Sequence, residues 1–175
     1  MDFESEDYRI TCPPYHVIWK QMELLVTKGL VKSIGVSNCT IPMMIDMLAY
    51  AEIKPVINQV EMHPYLNQAE VLRFHRKWGI VLEGYSPIGG EGGNVLDDAV
   101  LAEIATSKGK SPAQVCLAWH VKRGTVPLPK TARVERLPQN IQVCDIDLTD
   151  EEVSRIDGLH TGKRIFDPIR FPMWQ

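Results

Sequence analysis

Between Thr125 and Asn140 the chain reads Thr-Val-Pro-Leu-Pro-Lys-Thr-Ala-Arg-Val-Glu-Arg-Leu-Pro-Gln-Asn. A short apolar run from Val126 to Leu128 meets Pro129 and passes at once into Lys130, Thr131, Arg133 and Arg136, where the pattern predicts the start of a helix. These residue types suit an anion. The first turn of a helix leaves backbone N–H groups unpaired at the positive end of the macrodipole, so a phosphate there gains hydrogen bonds and charge compensation together. Lys130 adds a compact charge, and Arg133 and Arg136 add planar forks that match phosphate oxygens. Gln139 and Asn140 supply amides able to donate to or accept from a purine. Charge spacing alone also describes a solvated basic face, because no glycine-rich phosphate loop accompanies the cluster.

The elements that position this stretch follow from periodicity and punctuation. Residues 1–14 read as an irregular polar lead-in closed by Pro13 and Pro14. From Val17 to Lys28 apolar positions recur at helical spacing and Gly29 supplies the stop. Leu30 to Val36 is a β-branched run that predicts a strand ending at Ser37 and Asn38. A helix opened by Pro42 follows, with its methionines as core filler. Pro55 to Met62 predicts the next strand, Gln68 to Trp78 the next helix, and Ile80 to Gly84 a third strand ending in Tyr85-Ser86-Pro87. Beyond the glycine-rich loop Gly89 to Gly93, helices are expected over Leu96 to Ser107 and from Ser111-Pro112 to Lys122. Thr125 to Leu128 is the fourth strand, and Thr149 to Glu152 has the spacing of a capping box that opens a last helix ending near Leu159. Residues 162–175 read as a C-terminal loop.

With 175 residues, 45% hydrophobic and 23% charged, the chain has the composition of a single globular unit spanning 1–175. A net charge of -3 argues against a general nucleic-acid or anionic-membrane surface, so the basic cluster suits a small anionic ligand. Cys12, Cys39, Cys116 and Cys144 are widely separated, which signals neither a zinc site nor a disulfide framework and fits a reducing, cytoplasmic setting. The acidic N-terminus has no apolar segment of the kind a secretory signal needs.

Strands alternating with helices through short connections imply parallel pairing by right-handed crossovers. A doubly wound sheet calls for G-x-G-x-x-G after its first strand, and only Gly35-Val36-Ser37 stands there. A (β/α)8 barrel instead gathers functional side chains at the C-terminal ends of successive strands. This chain offers Ser37 and Asn38, then Gln59 and Glu61, then Tyr85 and Ser86, then Lys130 and Thr131.

Ser33-Ile34-Gly35-Val36-Ser37-Asn38, Asn58-Gln59-Val60-Glu61-Met62-His63-Pro64-Tyr65, Gly84-Tyr85-Ser86-Pro87-Ile88-Gly89 and Leu128-Pro129-Lys130-Thr131 together resemble the aldo-keto reductase family. The resemblance runs from about Trp19 to Leu159 and implies an α/β fold, part of a (β/α)8 TIM barrel corresponding to its fifth to eighth βα units. It also implies NADPH-dependent reduction of aldehydes and ketones. On that basis Ser37, Asn38 and Gln59 hold the nicotinamide carboxamide, Tyr85 stacks on the ring, and Ser86, Ile88 and Gly89 run beside the pyrophosphate. Lys130, Thr131 and Arg136, with Arg133, grip the 2′-phosphate, and Gln139 and Asn140 lie near the adenine.

The family's catalytic Asp, Tyr, Lys and His come from its first four strands, which precede the stretch that this sequence matches. The chain alone is therefore expected to be inactive, and to require the other half of the barrel or to self-associate. The partners implied are a small carbonyl substrate in the intact enzyme, with no nucleic acid and no membrane. A non-catalytic NADP(H)-binding half-barrel, or a regulatory or structural module, is the alternative. Glu61 and Tyr65 stand where a substrate mouth is expected, and Phe171 to Trp174 are expected to line it. His63-Pro64 reads as loop structure, His75 and His120 as packing groups, and Trp19 and Trp119 as core.

Overall fold

The structure, a computed structural model, describes residues 13–90 and 94–166. Phe171 to Trp174 and Gly92-Gly93 lie outside the described residues. Four strands, β1 (Val36–Ser37), β2 (Ile57–Glu61), β3 (Val81–Tyr85) and β4 (Val126–Leu128), form one parallel sheet in the order β1-β2-β3-β4. The register places Ser37 opposite Gln59, Gln59 opposite Glu83, and Glu61 opposite Tyr85, which in turn stands opposite Leu128. All four C-terminal ends therefore reach one edge of the sheet.

The crossovers are helical. Helix α1 (Tyr15–Thr27) precedes the sheet, α2 (Ile41–Tyr50) joins β1 to β2, and α3 (Ala69–Lys77) joins β2 to β3. Between β3 and β4 come a 3₁₀ turn (Val95–Asp97), α4 (Ala99–Lys108) and α5 (Pro112–Lys122). The six-residue α6 (Arg136–Ile141), a second 3₁₀ turn and α7 (Asp150–Asp157) follow β4. Start signals operate as their chemistry dictates. Ser111 and Gln114 form a reciprocal capping box at α5, and Thr149 and Glu152 form another at α7, each satisfying N–H groups that the first turn leaves free.

Side chains alternate across the sheet, as the pleat requires. Leu82, Val60 and Met62 face the helices and join Leu101, Leu117 and Trp119 in the main core. Burying an aliphatic side chain such as Leu82, 1% exposed, contributes roughly 1.5–3 kcal/mol. The opposite face is open: Val81, Val126 and Leu128 are 41%, 43% and 39% exposed. Met44 and Met47 are buried core filler in α2, and Trp19 and Trp119 are core, as expected.

Two expectations need correction. The β-branched run from Leu30 to Val36 pairs only at Val36–Ser37, while Leu30 is 69% exposed. In the same register Val56 N–H still donates to the Ile34 carbonyl, but Leu30 N–H donates back to the Leu25 carbonyl of α1, so the start of the run closes that helix instead of extending the strand. The helix expected directly after Pro129 begins instead at Arg136. Local bonds occupy the intervening turn: the Thr131 hydroxyl accepts from Arg133 N–H at 3.1 Å, and Arg136 N–H donates to the Arg133 carbonyl.

Candidate functional site

The loop after β1 is fixed by β2. Asn38 takes a left-handed conformation, φ 56°, and its N–H donates to the Gln59 carbonyl at 2.8 Å. The Ser37 hydroxyl donates to the same carbonyl at 3.0 Å. Beneath them, the buried Asn58 amide donates to the Cys39 carbonyl at 2.9 Å and lies 3.0 Å from His75 Nε2. His75 Nδ1 lies 2.7 Å from the Val71 carbonyl, so Nδ1 carries the proton and Nε2 accepts from Asn58. Desolvation holds the His75 pKa below its ordinary value, consistent with that neutral ring. Cys39, buried in the same network, has its thiol pushed up to about 11 by desolvation and is no nucleophile at neutral pH.

At the next two strand ends the groups divide by chemistry. Gln59 Nε2 donates to Glu83 Oε2 at 3.0 Å across β2 and β3. Glu61 is 1% exposed, and its Oε1 accepts from the Ile165 N–H at 2.6 Å and lies 3.1 Å from His63 Nε2. The Glu61–His63 pair is thus covered by the segment that follows α7. Tyr65 is likewise committed, its hydroxyl donating to Asp98 Oδ2 at 3.0 Å beside α4. Tyr85 is half-buried, with the Phe166 ring 5.5 Å away in an edge-on arrangement. Desolvation, helped by the Glu61 charge, pushes its phenol up to about 12. The ring is therefore neutral and a poor acid, suited to apolar contact more than to proton donation.

After β3 the chain turns through Ser86, φ 49°, and Gly89 N–H donates to the Ser86 carbonyl at 2.9 Å. Gly89 has φ +87°, and a Cβ there would meet Val95 Cγ2 at 2.4 Å. Its missing side chain is thus required by packing on the following 3₁₀ turn, a reason separate from any close approach to a phosphate.

The basic stretch and the β3 loop meet. Ile88, Lys130, Thr131, Arg136, Gln139 and Asn140 line one cavity of about 240 Å³. The start of α5 completes it with Ser111 and Gln114. The first of these is readable in sequence as a helix cap, but its place beside Lys130 depends on the β3–β4 crossover. Arg133 is exposed and outside that lining. Because α6 has six residues and begins only at Arg136, Lys130 stands ahead of any helix N-terminus, and side-chain charge and donors, not a helix dipole, are what the cavity offers an anion there. A neighbouring hollow of about 270 Å³ shares Ile88 and Leu96 with it. Asn38, Thr40, Glu61, Gln68 and Arg164 line a separate pocket of about 220 Å³ at the β1–β2 end.

Among the described residues no group of three or more His, Cys, Asp or Glu is placed to hold a metal, and no helix is long and apolar enough to cross a membrane.

Known proteins are similar to this chain in sequence and fold. A sequence model described as Aldo/keto reductase family matches residues 4–161. Aldose reductase B of Dictyostelium discoideum is 42% identical over 153 residues, which cover 87% of this chain and 49% of the relative. An uncharacterized oxidoreductase of Bacillus subtilis is 41% identical over 158 residues, 90% of this chain and 56% of that one. The solved aldose reductase of Giardia lamblia superposes with a TM-score of 0.83 at 39% identity, covering 93% of this chain and 56% of its own. An aldo-keto reductase solved in complex with NADPH gives a TM-score of 0.85 at 30% identity, covering 94% and 52%. The chain spans about half the length of the relatives it matches. With the motifs at four strand ends, the parallel sheet and these likenesses in agreement, the chain belongs to the aldo/keto reductase family.

Proposed function

We propose that this chain is the NADPH-binding part of a reductase that converts aldehydes or ketones to alcohols, its sheet corresponding to the C-terminal half of a (β/α)8 barrel. The observation that carries this reading is the convergence of Ile88, Lys130, Thr131, Arg136, Gln139 and Asn140 on one cavity. Two cations and a hydroxyl match a monoester phosphate, and two amides match the edge of a purine. Lys130, Thr131 and Arg136 are assigned to the 2′-phosphate, with Arg133 able to reinforce the field from outside the lining. Gln139 and Asn140 are assigned to the adenine. Ser86, Ile88 and Gly89 form the connection toward Tyr85, which offers a flat neutral ring to the nicotinamide, while Ser37, Asn38 and Gln59 face the carboxamide.

When bound, NADPH supplies the hydride. Reduction of a carbonyl also needs a proton on the developing alkoxide. Tyr85, with its phenol raised to about 12, is a poor source, and the Glu61–His63 pair is buried at 1% exposure for each residue. The proton is therefore assigned to the catalytic tyrosine of the family, which lies among strands preceding the matched region. The chain alone should bind NADPH and reduce nothing.

Fluorescence titration with NADPH, followed by an assay of NADPH oxidation with a reactive aldehyde, tests both parts. Binding without turnover above background is expected. Failure to bind removes the cofactor assignment, and turnover by the purified chain would mean that it holds an acid other than those considered.

A further inference from the structure

We propose that Glu83 is a positioning residue that sets the orientation of the Gln59 amide and so makes the site select a carboxamide over a carboxylate on the ligand's ring. The proposal rests on the assignment of Gln59 to the nicotinamide end and deepens it.

Gln59 and Glu83 are direct cross-strand neighbours in the parallel ladder, and Gln59 Nε2 donates to Glu83 Oε2 at 3.0 Å. A carboxylate offers acceptors only, so the amide must turn its NH₂ toward Glu83. Gln59 Oε1 is then left as the group free to meet a ligand. The main chain of Gln59 is held as firmly: its carbonyl accepts from Asn38 N–H at 2.8 Å and from the Ser37 hydroxyl at 3.0 Å. Glu83 lies on the face shared with Gln59 and Tyr85, alternating with Leu82 and Gly84, which pack toward the helices. A half-buried carboxylate on that face has no packing reason to replace an apolar residue, whereas orienting a ligand-facing amide gives it one.

The consequence is a sign. A ligand group placed against Gln59 must donate, as a carboxamide NH₂ does. A carboxylate there would meet the Gln59 oxygen and the negative charge of Glu83 together. In Glu83→Gln the charge is gone and the new amide presents either end, which frees Gln59 to flip and offer its NH₂ outward. The variant should therefore lose affinity for the amide ligand and gain affinity for the acid.

Titration of NADP⁺ and of its nicotinic-acid analogue, with parent, Glu83→Gln and Gln59→Ala proteins and the double variant, tests this. The expected result is a parent that prefers NADP⁺ and a Glu83→Gln protein whose preference falls about tenfold or more, the scale set by one charge-assisted hydrogen bond. In the Gln59→Ala background, the Glu83→Gln change should leave a ratio altered only by the removed charge, smaller than in the parent background. Because glutamine matches glutamate in shape, folding should survive, and the ligand ratio is insensitive to a uniform loss of active protein. An unchanged ratio, including equal weakening of both ligands, overturns the positioning role while leaving NADP(H) binding intact. A parent that binds neither ligand overturns the nicotinamide assignment itself and the role with it.

Discussion

Gly84 on β3 lies directly against the buried ring of His120 on α5: a Cβ at Gly84 would stand 2.6 Å from His120 Cε1 and 3.3 Å from Met62 Cβ. The imidazole is held in place by its Nδ1, which lies 3.0 Å from the Thr125 hydroxyl just before β4. This packing sets how closely α5, and with it Ser111 and Gln114 of the cavity, approaches the strand that carries Tyr85. Gly84→Ala should destabilise the chain by about 1–3 kcal/mol through overpacking. Denaturant unfolding with an unchanged m-value and a lowered midpoint is the expected record, and an unshifted midpoint would show that the ring yields freely.

His120 also predicts a pH response. Burial and the neighbouring Arg123 charge bring its pKa down to about 3 from an ordinary 6.5. As pH falls below about 6.5 the unfolded chain binds a proton that the folded chain refuses, so stability declines with acidification across the window down to about 3. The slope contributed by one such group is at most about 1.4 kcal/mol per pH unit. His120→Gln should be about 1–3 kcal/mol less stable at pH 7, through the disturbed bond to Thr125, yet lose less on going to pH 5. Parallel stability profiles for parent and variant would contradict a neutral buried ring.

Arg136 should control cofactor choice. It is exposed at the cavity rim beside Lys130 and Thr131, so its phosphate contact is charge-assisted and open to salt. Arg136→Ala is expected to weaken NADPH about tenfold and NADH much less, with the parent's preference eroding as salt is raised. Titrations of both cofactors at two ionic strengths check it. Equal losses would return the Lys130–Arg136 stretch to a solvated basic surface.

The open face of the sheet should make the isolated chain associate. Val81, Val126 and Leu128 expose apolar side chains on the same face of neighbouring strands β3 and β4, a combination that soluble monomers seldom leave uncovered. Sedimentation is expected to show concentration-dependent oligomers, and Leu128→Lys should reduce them without lowering the thermal midpoint. A compact monomer at every concentration would show that this face needs no cover.

Agreement between sequence and structure is best where a signal is local. The strands over Ile57–Glu61, Val81–Tyr85 and Val126–Leu128 lie within two residues of the apolar runs that predicted them. The capping box expected at Thr149-Glu152 formed, and Ser111 caps α5 as expected, with Gln114 completing a second box, because each involves only four consecutive residues. Leu30 to Val36 failed as a full strand because its first N–H closes α1 on the Leu25 carbonyl, a context that overrides strand propensity. The helix expected at Lys130 failed because the Thr131 hydroxyl captures the Arg133 N–H and makes a turn of its own.

The sequence by itself determined the alternation of strands and helices, the polar groups at each strand end and the basic stretch, since these depend on residue type, spacing and motif. Only the tertiary structure decided which of them meet. Lys130, Arg136 and Asn140 share a cavity with Ile88 and the start of α5 because the crossover through α4 and α5 folds back beside β4. Gln59 meets Glu83, and Glu61 is sealed under Ile165, because register and the path after α7 bring together groups 24 and 104 residues apart. Contacts at such separations depend on strand order and packing, which no local pattern encodes.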